Sequence, residues 1–361
     1  MICKSCSSNQ TKLVFDFGKI PAVNNFIFKN QIKDEKLYEL SLHVCKKCWL
    51  LQLSDVPEPE LLFNNYHHIS GASQGNINHL LSVASYVQKY FPNHQKILEI
   101  GCNDGTLINF LSEKGYNCFG VDPAKNINQH KDLIIYKDFF NRNFSKKLIK
   151  TNTYFDVVVG LNVFAHNDSF INMFQATSEI LSNNGVFIIE VAYAPSTIGE
   201  GNFDTIYHEH VCSYSLLSLE NALNSVGLYI INAELINTQG GSIRVVANKH
   251  KNDTKSTSYQ KIKNDELKIG LDTIEYYNLI KFKINKKVNF ISNFFEMVMN
   301  NNKKLLIVGA PARGVVTMNV CSNFDLTKNS IIIDDTKEKQ NKVMPGAHID
   351  IISWDECDFY K

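Results

Sequence analysis

The spacing of apolar and polar positions changes several times along the chain, and each change predicts an element. Within "LSDVPEPELLFNNYHHISGASQGNINHLLSVASYVQKYF", Pro and Gly punctuation leads into an apolar-periodic stretch over 77–91, which predicts a helix. "KILEIGCNDGTLINFLSEKGYNCFGVDPA" reads as a strand over 96–100, a glycine turn, a helix over 105–114 and a strand over 117–121. "YFDVVVGLNVFAHN" and "NGVFIIEVAYAP" are short apolar runs closed by turn residues, as expected of buried strands. Such alternation predicts a parallel sheet with helices on both faces. "GLYIINAELINTQGGSIRVVANK" holds two β-rich runs about a Gly turn, a hairpin expected to add an antiparallel edge to that sheet. The tract over 250–265 is polar and nearly free of large aliphatics, which predicts a domain boundary. A long helical region follows to about 300. Then "KKLLIVGAPARGVVTMNVC" gives strand, Gly-rich turn and helix again, and "SIIIDDT" a further strand, so the tail reads as a small second Rossmann-like unit.

Composition narrows the partners. A hydrophobic share of 44% supports real cores, and 37 basic against 36 acidic residues leaves no field to hold a phosphate backbone or an anionic membrane. Nucleic acid is excluded as a main partner on that ground. The start "MICKSCSSNQ" lacks a basic segment followed by an apolar one, and no apolar run approaches the roughly 20 residues that span a bilayer, so a cytoplasmic protein is expected. Of nine cysteines, Cys3 and Cys6 ("CKSC") and Cys45 and Cys48 ("CKKC") form a C-x2-C…C-x2-C set, the spacing by which two tight knuckles direct four thiolates at one zinc. The 38 residues between the pairs must themselves fold. A closed four-thiolate site leaves no open coordination position, so this zinc is read as structural. Cys102, Cys118, Cys212, Cys321 and Cys357 have no ligand spacing and are read as small apolar residues. The expected division is a zinc-binding domain over 1–65, a core over 66–252 and a Rossmann-like domain over 253–361.

Two stretches carry chemistry. In "LEIGCNDGTL", Gly101-Cys102-Asn103-Asp104-Gly105 follows a strand acid, Glu99, and a second acid, Asp122, ends the next strand 21 residues beyond Gly101. Glycines let a backbone approach its ligand, and an acid at the second strand's end accepts from ribose hydroxyls. Nothing in this turn requires a pyrophosphate, which suits S-adenosylmethionine; a dinucleotide site and a purely structural glycine turn are the alternatives. "YKDFF" places Asp138 and Phe139 where an adenine would be hydrogen-bonded and covered. The second stretch, "FDTIYHEHVCSYSLL", crowds Tyr207, His208, Glu209 and His210 together. A metal site, a general base with its supporting shell and a wet surface loop all fit such a cluster, but no third metal ligand is placed by spacing. In extended chain Tyr207 and Glu209 share one face, and His208 and His210 the other, so Glu209 meets His210 only at a bend. Asn162 and His166 lie at a strand's carboxyl end, where doubly wound sheets bind ligands; Asn162 is expected to contact substrate, and His166 is a site residue or a helix cap. Arg244 after "GGS" and Arg313 after "GAPA" are pyrophosphate clamps or ordinary ion pairs.

In this order behind the paired cysteines, "EIGCNDGTL", "NVFAHN", "FDTIYHEHVCSYS", "GGSIRV" and "GAPARG" closely resemble the S-adenosylmethionine-dependent sugar C-methyltransferases, which methylate nucleotide-linked 4-keto-deoxysugars at C-3. The resemblance runs from Cys3 to about His348. It implies an α/β protein with a class I methyltransferase Rossmann-like core, an N-terminal zinc-binding domain and a C-terminal Rossmann-like domain, the sugar held between them. It further implies His210 as the base, Glu209 as its orienting partner or alternate base, and Tyr207 as a donor near the keto or enolate oxygen. Where the family carries Y-x-Y-x-S, this chain reads Tyr66-His67-His68-Ile69-Ser70, so Tyr66 and His68 take the substrate positions with one tyrosine replaced. The chain also ends short of the family's usual last strand-helix segment. The competing functions are an O- or N-methyltransferase on a related sugar, and a zinc-anchored nucleotide-binding protein without catalysis.

Overall fold

The structure is a computed structural model and describes all residues except 58–68, 128–129, 131, 239, 252–253, 323–324 and 358–361. Near the N-terminus, β1 (Thr11–Pro21), β2 (Leu37–Cys45) and β3 (Leu51–Leu53) form an antiparallel meander. Leu40, Leu42 and Val44 alternate inward along β2, so the period-2 pattern sets the sheet's buried face. Ser7 and Trp49, each immediately after the second cysteine of its pair, adopt left-handed backbone (φ 56° and 60°), which turns both knuckles back toward each other.

The chain then builds α1 (Gln74–Tyr90), β4 (Lys96–Ile100), α2 (Thr106–Glu113), β5 (Asn117–Val121), β6 (Ile134–Tyr136), α3 (Arg142–Lys150) and β7 (Phe155–Leu161). Next come α4 (Phe170–Ile180), β8 (Leu181–Ala192), β9 (Cys212–Ser213), α5 (Leu216–Asn224), β10 (Tyr229–Ile236) and β11 (Ser242–Asn248). Among the described residues these give a seven-stranded sheet of order β10-β11-β8-β7-β4-β5-β6. β4 to β8 run parallel, and the β10–β11 hairpin closes one edge antiparallel, as its Gly turn suggested. Both faces are covered. Val157 and Val159 pack beneath Leu80, Val83, Ala84 and Val87 of α1, while Val158 faces Phe144, Phe170 and Phe174 of α3 and α4. β9 leaves this region and pairs with β3, stitching the first sheet to the segment that follows His210.

The polar tract expected as a boundary is instead partly a helix, α6 (Thr257–Lys268). Ser256 caps it through Tyr259 N, and only Tyr259, Ile262 and Glu266 turn inward. The Glu266 carboxylate accepts from Leu216 N (2.6 Å) and Leu217 N (2.8 Å), anchoring the start of α5. A stripe this sparse is swamped by the polar residues on the other faces, which is why composition concealed the helix. After α7 (Ile274–Asn300), β12 (Leu305–Val308), α8 (Ala312–Cys321), β13 (Ser330–Ile333) and β14 (Ile351–Ile352) form a three-stranded parallel sheet with its helix. Its core is continuous with the N-terminal sheet, since Val14, Leu42 and Val44 cluster with Ile280, Val315 and Ile332. The hydrogen bond between His348 and Glu35 (2.7 Å) and the ion pair of Lys29 with Asp350 (2.8 Å) reinforce that contact. Among the described residues no helix is long and apolar enough to cross a membrane.

Candidate functional site

Three left-handed residues in five, Gly101 (φ 68°), Asn103 (55°) and Gly105 (88°), fold the turn after β4. At Gly101 space is also decisive: a Cβ would stand 2.4 Å from a Val163 methyl. Asp122, at the end of β5, accepts from Asn103 N and Ala124 N (both 2.9 Å) and so holds the turn from beneath. Glu99 is 5% exposed and its Oε2 has no hydrogen-bond partner among the described residues. Burial, with Asp104 and Asp122 nearby, pushes its carboxyl well above the ordinary range. These groups open into a cavity of about 590 Å³ that extends from the seven-stranded sheet to both flanking sheets.

Tyr207, Glu209 and His210 line the same cavity. A turn closed by His210 N on Tyr207 O (2.8 Å) supplies the bend that extended chain lacks. His210 Nδ1 lies 2.8 Å from Thr205 O, and a carbonyl only accepts, so Nδ1 carries the proton. Nε2 therefore presents its lone pair, which the Tyr207 hydroxyl meets at 3.0 Å. Burial, followed by the Thr205 bond and the Arg313 charge as lesser influences, leaves the His210 pKa below its ordinary value. His166 lies nearby, its ring tilted at 59° to that of His210 with 5.2 Å between centroids, and burial lowers its pKa to about 3, so it is a neutral imidazole of the cavity wall. His208 turns out of the cluster, is 1% exposed and meets Glu39 O at 3.2 Å.

Several expectations change. Glu209 does not orient His210: its Oε1 accepts from Asn24 Nδ2 at 2.6 Å, and the Thr205 carbonyl does the orienting. Arg244 is no phosphate clamp, because its guanidinium is buried against the Glu190 carboxylate and stacked over Tyr86. Arg313 is half exposed and paired with Asp204 (2.7 Å). Asp138 pairs with Lys147 at 2.8 Å away from the cavity, whereas Phe139 lines it. Asp104 and Gly105 shape the turn without lining the cavity; Asp104 accepts from Thr106 N and from Gly71 N. Asn162, left-handed at φ 56°, lines the cavity. Tyr66 and His68 lie outside the described residues. Sequence reasoning missed Asn24, His79, Thr336 and Lys339, which line the cavity from remote segments. Lys339 Nζ is held by Ala310 O (3.0 Å) and Asp334 (3.4 Å), which aims it at the cavity from the third sheet.

The four sulfurs of Cys3, Cys6, Cys45 and Cys48 lie within 4.8 Å of one another, with Cys3–Cys48 and Cys6–Cys45 both at 3.6 Å. Zinc–sulfur bonds of about 2.3 Å in a tetrahedron place sulfurs about 3.8 Å apart, so the donor set fits zinc.

Three family descriptions tile the chain: "Putative zinc binding domain" on residues 3–63, "Methyltransferase domain" on 73–233 and "C-methyltransferase C-terminal domain" on 237–359. The C-methyltransferase NovU of Streptomyces niveus is 25% identical over 358 residues, 97% of this chain and 85% of that protein. A ubiquinone biosynthesis O-methyltransferase of Azorhizobium caulinodans is 31% identical over 98 residues, 26% of this chain and 39% of that protein. A solved SAM-dependent methyltransferase from Archaeoglobus fulgidus aligns at 15% identity and a TM-score of 0.39, covering 46% of this chain and 93% of that one. With a four-thiol cluster that fits zinc, an α/β core whose first turn leaves a buried carboxyl facing a cavity, and these three matches in sequence, the chain is an S-adenosylmethionine-dependent C-methyltransferase with an N-terminal zinc-binding domain.

Proposed function

We propose that the chain methylates C-3 of a nucleotide-linked 4-keto-deoxysugar through a base-generated enolate, as a step of deoxysugar or cell-surface polysaccharide synthesis. The observation that carries this reading is the His210 imidazole, whose basic Nε2 is fixed toward the cavity that also exposes Glu99 and Asp122. A carbon acid needs such a base, since its proton must leave before the carbon can attack a methyl group. S-adenosylmethionine supplies an electrophilic methyl group when bound. Glu99, Gly101, Asn103, Asp122 and Phe139 form the wall that would hold it. The carbonyl at C-4 acidifies the C-3 proton, His210 Nε2 accepts that proton, and the Tyr207 hydroxyl, released from Nε2, donates to the oxygen on which charge develops. Asn162 and His166 border the same space, and Lys339 and Thr336 close it from the third sheet, where a nucleotide-linked substrate would extend.

The test is methylation of an NDP-4-keto-sugar deuterated at C-3, followed by mass spectrometry. Loss of the label is the expected result. Retention in the methylated product would transfer the reading to O- or N-methylation. Because His210 works unprotonated and its pKa is lowered from about 6.5, the acid limb of kcat/KM should fall below pH 6.5, with activity lost as the pH drops through it. Glu209, raised above the ordinary carboxyl value by burial, titrates in the same direction. A limb that persists in His210→Asn would therefore belong to a carboxyl of the cavity, Glu209, Glu99 or Asp122, each raised by burial.

For the cofactor wall, Asp122→Ala should weaken S-adenosylhomocysteine binding about ten- to a hundred-fold, the effect of losing a charged acceptor worth roughly 1.5–3 kcal/mol. An unchanged dissociation constant would mean that the ribose sits elsewhere.

A further inference from the structure

We propose that His79 contacts the amino-acid end of S-adenosylmethionine, and that Glu190 and Arg244 act through it as positioning residues. This rests on the reading of Asp122 as the ribose acceptor. Glu190, two residues before the end of β8, is 1% exposed and is shared by two partners. Its Oε1 accepts from Arg244 Nε, its neighbour across the β8–β11 register, and its Oε2 lies 2.6 Å from His79 Nε2. A carboxylate so buried is tolerated only when it is paired and hydrogen-bonded. The same guanidinium stacks 4.7 Å over Tyr86, seven residues from His79 on one face of α1. Glu190 and Arg244 thus grip α1 at two points, one turn-pair apart.

A latch for a helix would be complete with the Arg244–Tyr86 stack. His79 adds something else, because its ring also lines the cavity. With Nε2 donating to Glu190, Nδ1 is left with no hydrogen bond to protein among the described residues. The nitrogen can accept from an ammonium group or, in the imidazolium, donate to a carboxylate. An α-amino acid carries both.

Sheet order says which end of the ligand His79 would meet. Asp122 immediately follows β5, Glu99, whose Oε2 has no hydrogen-bond partner among the described residues, stands on β4, and Glu190, which anchors His79, on β8 beyond β7. A ligand held at its ribose by Asp122 and extending across β4 reaches the His79 side with its far end. Ser70 and Asn76, on the same flank of the cavity, belong to the segment whose Ser70 N and Gly71 N bond Asn103 and Asp104. The start of α1 and the glycine turn therefore form one rigid corner.

The experiment is calorimetric binding of S-adenosylhomocysteine and of 5′-methylthioadenosine, which keeps the adenosine and sulfur but lacks the amino-acid part. His79→Ala and Glu190→Gln should weaken S-adenosylhomocysteine about tenfold, the loss of one charge-assisted hydrogen bond, and leave 5′-methylthioadenosine unchanged. His79→Gln, which keeps an amide donor for Glu190, gives a variant for comparison should His79→Ala melt early, and it should show the same selective loss in smaller measure. Equal weakening of both ligands would show that His79 merely seats α1, and unchanged S-adenosylhomocysteine binding would remove it from the site. Either result overturns the proposal. Failure of the unsubstituted protein to bind either ligand would instead strike the cofactor wall itself.

Discussion

His210→Asn is expected to slow methylation about 10²–10⁴-fold, the usual effect of removing a general base, while S-adenosylhomocysteine binds as before. The imidazole is prepared by its surroundings: the Thr205 carbonyl fixes the proton on Nδ1, burial keeps the ring neutral, and Tyr207 occupies Nε2 until substrate arrives. Asparagine retains the polarity and a donor for Thr205, but its amide cannot take a proton near neutral pH. The comparison must be made with melting temperatures in hand, so that a folding defect is not read as lost chemistry. Glu209→Gln should cost less, since Glu209 is bonded to Asn24 and not to the base. If Glu209→Gln proves the more damaging change and His210→Asn remains active, the two roles are exchanged. The separation between kcat and cofactor affinity is the readout that matters, because His210 and Asp122 stand on different walls of one cavity.

The parts of this site that sequence reveals are those written into a single local segment. The strands over 96–100 and 117–121 are found where the apolar runs place them, because strands buried on both faces leave uninterrupted aliphatic stretches bounded by turn residues. Asp122 follows from that same register, and the paired cysteines from knuckle spacing. The turn through Tyr207 and His210 is less legible, since whether Glu209 meets His210 depends on one bend and on an asparagine 185 residues away in sequence. Asn24 and Lys339 reach the cavity only because the first and third sheets share a core, a contact that no local period encodes. Arg244 is ambiguous for the opposite reason: a guanidinium after a glycine turn suits a phosphate as well as an ion pair until the strand across from it turns out to carry Glu190. His79 sits inside a helix stretch that reads as ordinary amphipathic chain.

Zinc loss should have the largest effect on stability. The protein as purified should hold about one zinc per chain, and Cys45→Ser should lower the metal content and the melting temperature together, as should strong chelation of the unsubstituted protein. Structural zinc sites carry an apparent binding free energy of about 10–16 kcal/mol, comparable to the roughly 5–15 kcal/mol net stability of a whole domain. The consequence reaches beyond the first domain. Cys45 ends β2, Cys48 precedes β3, and β3 pairs with β9 immediately after the Tyr207–His210 turn, with Leu53 N bonded to Val211 O at 2.9 Å. Gln52, fully buried on β3, also accepts from Lys4 N at 2.8 Å, which ties the other knuckle to the same strand. In the fraction that stays folded, turnover should therefore fall, though by less than stability, while S-adenosylhomocysteine affinity, set by the turn after β4, is retained. Metal analysis showing no zinc in carefully prepared protein would sink this account. So would an unchanged melting temperature in Cys45→Ser, because thiolates that hold nothing together can be removed at little cost.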